Sequence, residues 1–224
     1  MRDLGDLALP RRCAGCDDPL HQHEQAICST CLADFPRTRF HDDPSNPVER
    51  IFWGRIPLHA ATALAHFDKR GRMQHMLHRL KYRGDRTVGH ALGRMLGEEL
   101  KASARFADVN AVLSVPLHPR KERDRGYNQA EVLAEGLREA LGTGPVNARL
   151  VRAVHTESQT RKSRLERWRN VKDAFVLHHG EVLTGRHVLL IDDVVTTGAT
   201  LEGCAAVLQD IADVRVSVAT VAFA

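Results

Sequence analysis

The stretch VLLIDDVVTTGAT, residues 188–200, runs four apolar residues into two adjacent acids and then into threonines around a glycine. Val188 to Ile191 read as a strand buried on both faces, because a parallel sheet covered by helices needs continuous hydrophobicity instead of alternation. The strand is expected to stop where Asp192 and Asp193 begin. Beyond the threonines, LEGCAAVLQDIA (201–212) keeps Leu201, Cys204, Ala205 and Leu208 at helical spacing. The motif is therefore a strand, a short loop and a helix N-terminus.

That order suits a particular ligand. Free N–H groups at a helix start carry about half a positive charge and favour an anion, and hydroxyls add further donors. Thr196, Thr197, Gly198, Ala199 and Thr200 thus form an anion-binding segment, with Gly198 letting the backbone approach closely. Two carboxylates beside such a cradle would repel a phosphate unless they serve something else. A ribose diol or a hydrated magnesium ion would suit them, so a sugar phosphate satisfies both halves. A Walker A loop does not describe the chain, since no Gly-Lys-Ser/Thr follows a glycine-rich loop.

The rest of the chain extends the pattern. IPLHAATALAHF (56–67) supplies an early strand or strand pair, and Met73, Met76, Leu77 and Leu80 mark an amphipathic helix with a second one around 86–101. AVLSVP (111–116) reads as another buried strand, followed by a basic loop and a helix with Ala130, Leu133, Ala134, Leu137 and Leu141 on one face. ARLVRAV (148–154) is a further strand candidate, and VRVSVATVAF (214–223) the last. Alternating strands and helices predict an α/β fold, a parallel sheet with helices on both faces. Ligands bind such sheets beyond the carboxyl ends of the strands, so the loops after AVLSVP and HVLLIDD should face one site.

Four of the five cysteines form two knuckles, Cys13-x2-Cys16 and Cys28-x2-Cys31, within the first 31 residues of the 224. Each knuckle gives two sulfurs from one turn, which suits a tetrahedral structural zinc ion. His21, His23 or His41 could replace one sulfur, and a pair of disulfides is the oxidised alternative. Cys204, on the apolar face of its helix, is expected to be buried and inert. Residues 41–50, HDDPSNPVER, read as a linker, giving a zinc module over 1–45 and a larger domain over 46–224. Most of the thirteen histidines are expected at the surface.

Hydrophobic residues make up 43% of the chain, enough for a real core. MRDLGDLALPRR lacks the apolar core of a signal peptide and no stretch of about 18 apolar residues occurs, so a soluble cytoplasmic protein without membrane insertion is expected. Net charge is only +4, yet residues 69–86 carry seven Lys/Arg against one Asp, 120–125 four against two, and 161–172 six against one. Such asymmetry favours a polyanionic partner, a pyrophosphate or a nucleic acid backbone. Arg120, Lys121, Arg123 and Arg125, crowded between a strand end and a helix start, could hold a leaving pyrophosphate. SQTRKSRLERWRN (158–170) could form a lid over phosphates. Tyr127 and Trp168, set among arginines, could stack bases of single-stranded DNA.

The thirteen-residue motif resembles the phosphoribosyl pyrophosphate (PRPP) motif of type I phosphoribosyltransferases. Together with the double-cysteine module, LKYRGD (80–85), VPLHPRKERDRGYNQA (115–130) and Gln159 followed by Arg167-Trp168-Arg169-Asn170, the chain is similar to the ComF family, which includes GntX-like proteins. The resemblance covers nearly the whole chain. It implies a phosphoribosyltransferase-like sheet, PRPP bound with magnesium, transfer of a phosphoribosyl group to an acceptor, and a link to natural competence and DNA uptake. The alternative it leaves open is a non-catalytic PRPP sensor that engages single-stranded DNA or DNA-uptake proteins. On the matching positions, Asp192 and Asp193 act on the ribose, the 196–200 segment on the 5′-phosphate, and the basic residues with Gln159 and Arg167 on the pyrophosphate. Tyr127 stands where many relatives carry phenylalanine, and the acceptor is left undefined.

Overall fold

The computed structural model describes residues 11–153 and 174–224. Its centre is a four-stranded parallel sheet of β1 (Ala60–His66), β2 (Ala111–Ser114), β5 (His187–Val195) and β6 (Arg215–Phe223), in the order β1-β6-β5-β2. The expected parallel α/β architecture is what the chain adopts. The apolar run of β5 is explained by two layers: Leu189 and Ile191 join one core with Leu92, Leu133 and Leu137, whereas Val188 and Leu190 join another with Leu201, Cys204 and Leu208. Side chains alternate across a strand, so both faces must be apolar when both are covered.

The first face carries α3 (Arg72–Tyr82), α4 (Arg86–Ala102) and α6 (Gln129–Leu141), and the second carries α7 (Ala199–Leu208). The stripe Met73, Met76, Leu77 and Leu80 is buried as its spacing requires. α4 and α6 touch backbone to backbone: a Cβ on Gly93 would lie 2.0 Å from the Leu133 carbonyl oxygen, and one on Gly136 2.1 Å from that of His90. Among the described residues no helix is long and apolar enough to cross a membrane.

Several expectations need correction. ARLVRAV supplies β3 (Arg149–Arg152), but this strand pairs antiparallel with β4 (Phe175–His178) in a separate two-stranded sheet. Its one deeply buried residue is Leu150, and arginines at both ends cannot enter a sheet covered on both faces. The basic loop after AVLSVP contains a short helix, α5 (Pro119–Arg125), with Pro119 in its first turn and Gly126 closing it at φ 81°. The linker reading also fails at its end, because Pro47–Phe52 form α2. Asn46 caps it, its Oδ1 accepting from the Val48 and Glu49 N–H groups at 2.9 and 3.1 Å, while its Nδ2 donates to the Ala61 carbonyl at 2.8 Å.

His187 departs from the expected surface role. It is fully buried at the start of β5, with Nδ1 2.6 Å from Asp108 Oδ1 and Nε2 2.8 Å from Ser217 Oγ. Burial lowers its pKa against the pull of Asp108. The Ser-His-Asp order is a buried clip and offers no hydrolytic site, because Ser217 is 0% exposed and no substrate reaches it.

Candidate functional site

β5 does not stop at the acids. It continues through them to Val195, because Val194 and Val195 still find partners in Ala222 and Phe223 of β6. The two carboxylates therefore point to opposite faces. Asp193 shares the side of Leu189 and Ile191 and meets Lys81 of α3, whose Nζ lies 2.8 Å from its Oδ2. Asp192 turns toward α7, where its charge helps push up the buried Cys204 thiol, itself raised chiefly by burial as expected of an inert cysteine. Burial and the neighbouring Asp193 carboxylate push Asp192 up to about 8, although its own Oδ1 accepts from the Asp193 N–H at 2.8 Å.

Lys81 stands within LKYRGD (80–85) and the basic run 69–86, but the sequence assigns it no role of its own. The signal was present: position 81 follows Leu80 and lies four residues after Leu77, so on a helix it flanks the apolar stripe. Asp193 Oδ2 is buried and receives no well-aligned hydrogen bond, so the close contact with Lys81 is an ion pair of poor directionality. Arg79, two residues earlier on the same helix, is held firmly instead. Its Nε donates to Asp85 Oδ2 at 2.9 Å and its Nη1 to the Arg12 and Cys13 carbonyls at 3.1 Å each.

After Val195 the chain turns through exposed Thr196 and Thr197 to Gly198, which precedes α7 in the left-handed region at φ 73°. Ala199 is exposed and Thr200 half-buried, so the loop presents hydroxyls and helix-start N–H groups outward. Its back is braced. Arg55 Nη1 donates to the Thr197 carbonyl at 2.7 Å and the same side chain pairs with Glu202. A Cβ on Gly198 would lie 2.7 Å from Ile51 Cγ2 and 2.8 Å from Phe52 Cε1. Gly198→Ala is accordingly expected to cost about 1–3 kcal/mol, from backbone strain and from that clash. Thermal unfolding of the variant checks this, and an unchanged melting temperature would refute the tight fit.

β2 lies beside β5, with the Val115 N–H donating to the Ile191 carbonyl at 3.0 Å, so both polar segments leave the sheet at the same end. Arg120, Lys121 and Arg123 are exposed on α5. Arg125 is half-buried, bonded to Gln129, with its guanidinium 5.7 Å from the centre of the Tyr82 ring. Tyr127 is not a free stacking surface: its hydroxyl donates to the Leu80 carbonyl and Arg86 covers its ring at 5.5 Å. Gln159, Arg167, Trp168 and the basic segment 161–172 lie outside the described residues.

The second centre is a cluster of four cysteines that could hold a metal ion. The sulfurs of Cys13, Cys16, Cys28 and Cys31 all lie within 4.8 Å of one another, with Cys16 and Cys28 3.7 Å apart. A tetrahedral zinc ion with bonds of about 2.3 Å sets sulfurs about 3.8 Å apart, so the four thiols could hold it, and they are not disulfide-bonded. Burial raises the Cys13 thiol, but N–H groups of Cys28, Cys16 and Gly15 outweigh it and bring the pKa to about 7. Burial and crowding by the other thiols push Cys31 up. A bound cation would favour the thiolate form of all four. The histidines are engaged elsewhere, His21 stacked on His23 and His41 beside Glu99. The knuckles pack directly on α3: Cys13, Ile27 and Cys31 share a core with Met73, Met76 and Leu77.

No family model matches the chain. Known proteins do. It is 30% identical over 214 residues to the DNA utilization protein YhgH of Salmonella typhi, covering 90% of this chain and 92% of that one. Competence protein F of Haemophilus influenzae is 26% identical over 209 residues, with 88% and 90% covered. Competence protein ComFC of Bacillus subtilis is 33% identical over 139 residues, or 62% of this chain and 54% of its own. Sharing this identity along nearly its full length, the chain belongs to the ComF family of competence and DNA utilization proteins.

Proposed function

We propose that the protein binds PRPP at the end of β5 and transfers its phosphoribosyl group to an acceptor, releasing pyrophosphate, in the service of DNA uptake. The observation that carries this is the acid pair running into a braced, hydroxyl-rich loop at a helix start, beside a strand that leads into a basic helix. Thr196, Thr197, Gly198, Ala199 and Thr200 hold the 5′-phosphate. Asp192 and Asp193 orient the ribose hydroxyls and stabilise the positive charge that develops on the ring as the glycosidic bond breaks. Arg120, Lys121, Arg123 and Arg125 receive the pyrophosphate, and Gln159 and Arg167, outside the described residues, are assigned to the same group by the family resemblance. Asp192 and Asp193 would hold the hydration shell of a magnesium ion bound with the ligand, and the ion would supply charge neutralisation for the leaving pyrophosphate. No side-chain nucleophile is required.

The names of the relatives, with the exposed basic face of α5 and Tyr82 at 71% exposure, favour a second reading: a PRPP sensor that also binds single-stranded DNA. Four free thiols arranged for a metal fit a reducing cytoplasm. The proposed domains, 1–45 and 46–224, divide the labour between metal and ligand.

Competition separates the two halves of the site. Ribose 5-phosphate and pyrophosphate should each displace PRPP, because each fills one half. Displacement by pyrophosphate alone would reduce the site to a basic patch. Displacement by single-stranded DNA, weakening steeply with salt, would favour the sensor.

A further inference from the structure

We propose that Lys81 is a ligand-binding residue of the acid-pair site, its ammonium held on Asp193 until an anionic ligand draws it away. The inference rests on the phosphoribosyl reading above and adds a residue to it. Lys81 sits in the last turn of α3, where the carbonyl end of a helix favours a cation. Its side chain is 24% exposed and that of Asp193 8%, so the ammonium stands at the boundary between the buried carboxylate and the open end of the sheet.

The pair is close but poorly aligned. Nζ lies 2.8 Å from an oxygen that gains no hydrogen bond from it, so the contact compensates charge without locking direction. Arg79, by contrast, is fixed by a carboxylate and two carbonyls. A lysine is a point charge on a flexible four-carbon stem with three rotatable donors, and it can change partner by rotamer alone. Departure of the ammonium would strand a buried carboxylate unless donors replaced it. A ribose diol supplies those donors, and a phosphate group supplies a better-aligned acceptor for the ammonium. Ligand binding thus exchanges one imperfect pair for two well-made contacts. Arg79 and the hydrogen bond from Tyr127 to the Leu80 carbonyl hold the end of α3 in place during the exchange.

PRPP titrations with magnesium on the wild type and on Lys81→Arg, Lys81→Met, Asp193→Asn and the Lys81→Met/Asp193→Asn double variant test this. The double variant removes both charges and keeps the fold testable if Lys81→Met alone misfolds. Lys81→Met should weaken binding about tenfold or more, the value of one charge-assisted contact to phosphate, and Lys81→Arg should recover part of it. The double variant should bind about tenfold more weakly than Asp193→Asn alone. Equal affinities of the double variant and Asp193→Asn would make Lys81 a mere counter-ion and overturn the proposal. A wild type that binds PRPP while Lys81→Met binds it equally overturns the Lys81 assignment alone; a wild type that does not bind overturns the phosphoribosyl reading with it.

Discussion

Asparagine in place of Asp192 is expected to raise the melting temperature above pH 8 while weakening PRPP binding about 10- to 100-fold. The carboxyl sits in β5 beside Asp193, and burial with that neighbouring charge brings it up to about 8 from an ordinary carboxylate range near 4. A raised acid favours the folded state only while protonated. Its contribution is fully present below about pH 4 and is lost as pH rises toward 8. Asparagine is neutral throughout, so the advantage of the variant should be absent at the acid end, grow across that window and level off above it. Each kcal/mol recovered shifts a chain of this size by about 2–4 °C. Above pH 8, where the carboxyl is ionised, the loss of affinity follows from removing a charged acceptor for ribose hydroxyls, worth about 1.5–3 kcal/mol. Melting curves at pH 5 and 8.5 with PRPP titrations check both halves. A variant that is less stable at both pH values, or that binds PRPP as well as the wild type, contradicts the assignment. Stability given up at a pair of like charges is a common mark of a ligand site.

Loss of the metal from the four cysteines should be the larger structural injury. One zinc ion per chain is expected by elemental analysis, and Cys31→Ser or a strong chelator should remove it. Structural zinc contributes on the order of 10 kcal/mol to small modules, so a fall in melting temperature of about 10 °C or more is expected. The injury should not stop at the knuckles, because Cys13, Ile27 and Cys31 pack against Met73, Met76 and Leu77, and Arg79 bonds the Cys13 carbonyl. Hydrogen exchange should therefore quicken along α3 as well as in residues 11–35. Protection of α3 that survives metal removal would show that the helix stands on the sheet alone. Linked loosening of α3 would also reach Lys81, and with it the acid pair.

The apolar periodicities carried the architecture. Val188 to Ile191, the stripe from Met73 to Leu80 and the face from Ala130 to Leu137 are all buried as their spacing requires, since burial in a two-faced sheet leaves few alternatives. What escaped was structure without an apolar face. PRKERDR has no hydrophobic residue to show a period, and only Pro119 at its start hints at α5. Asn46-Pro47 reads as a turn until its capping bonds reveal a helix start. The acids hid the last residues of β5, whose membership depends on pairing with Ala222 and Phe223. The acid pair and threonine loop were legible because contiguous residues made them. Lys81 was not, because its partner lies in a distant part of the chain and only the fold brings the two together.

Calorimetric titration of the zinc-loaded protein with PRPP, with and without magnesium, decides whether the end of β5 is a phosphoribosyl site. Micromolar binding that strengthens with magnesium is the predicted result, and Asp192→Asn should abolish most of it. No heat of binding at any magnesium concentration, from protein shown to be folded and metal-loaded, would contradict the account.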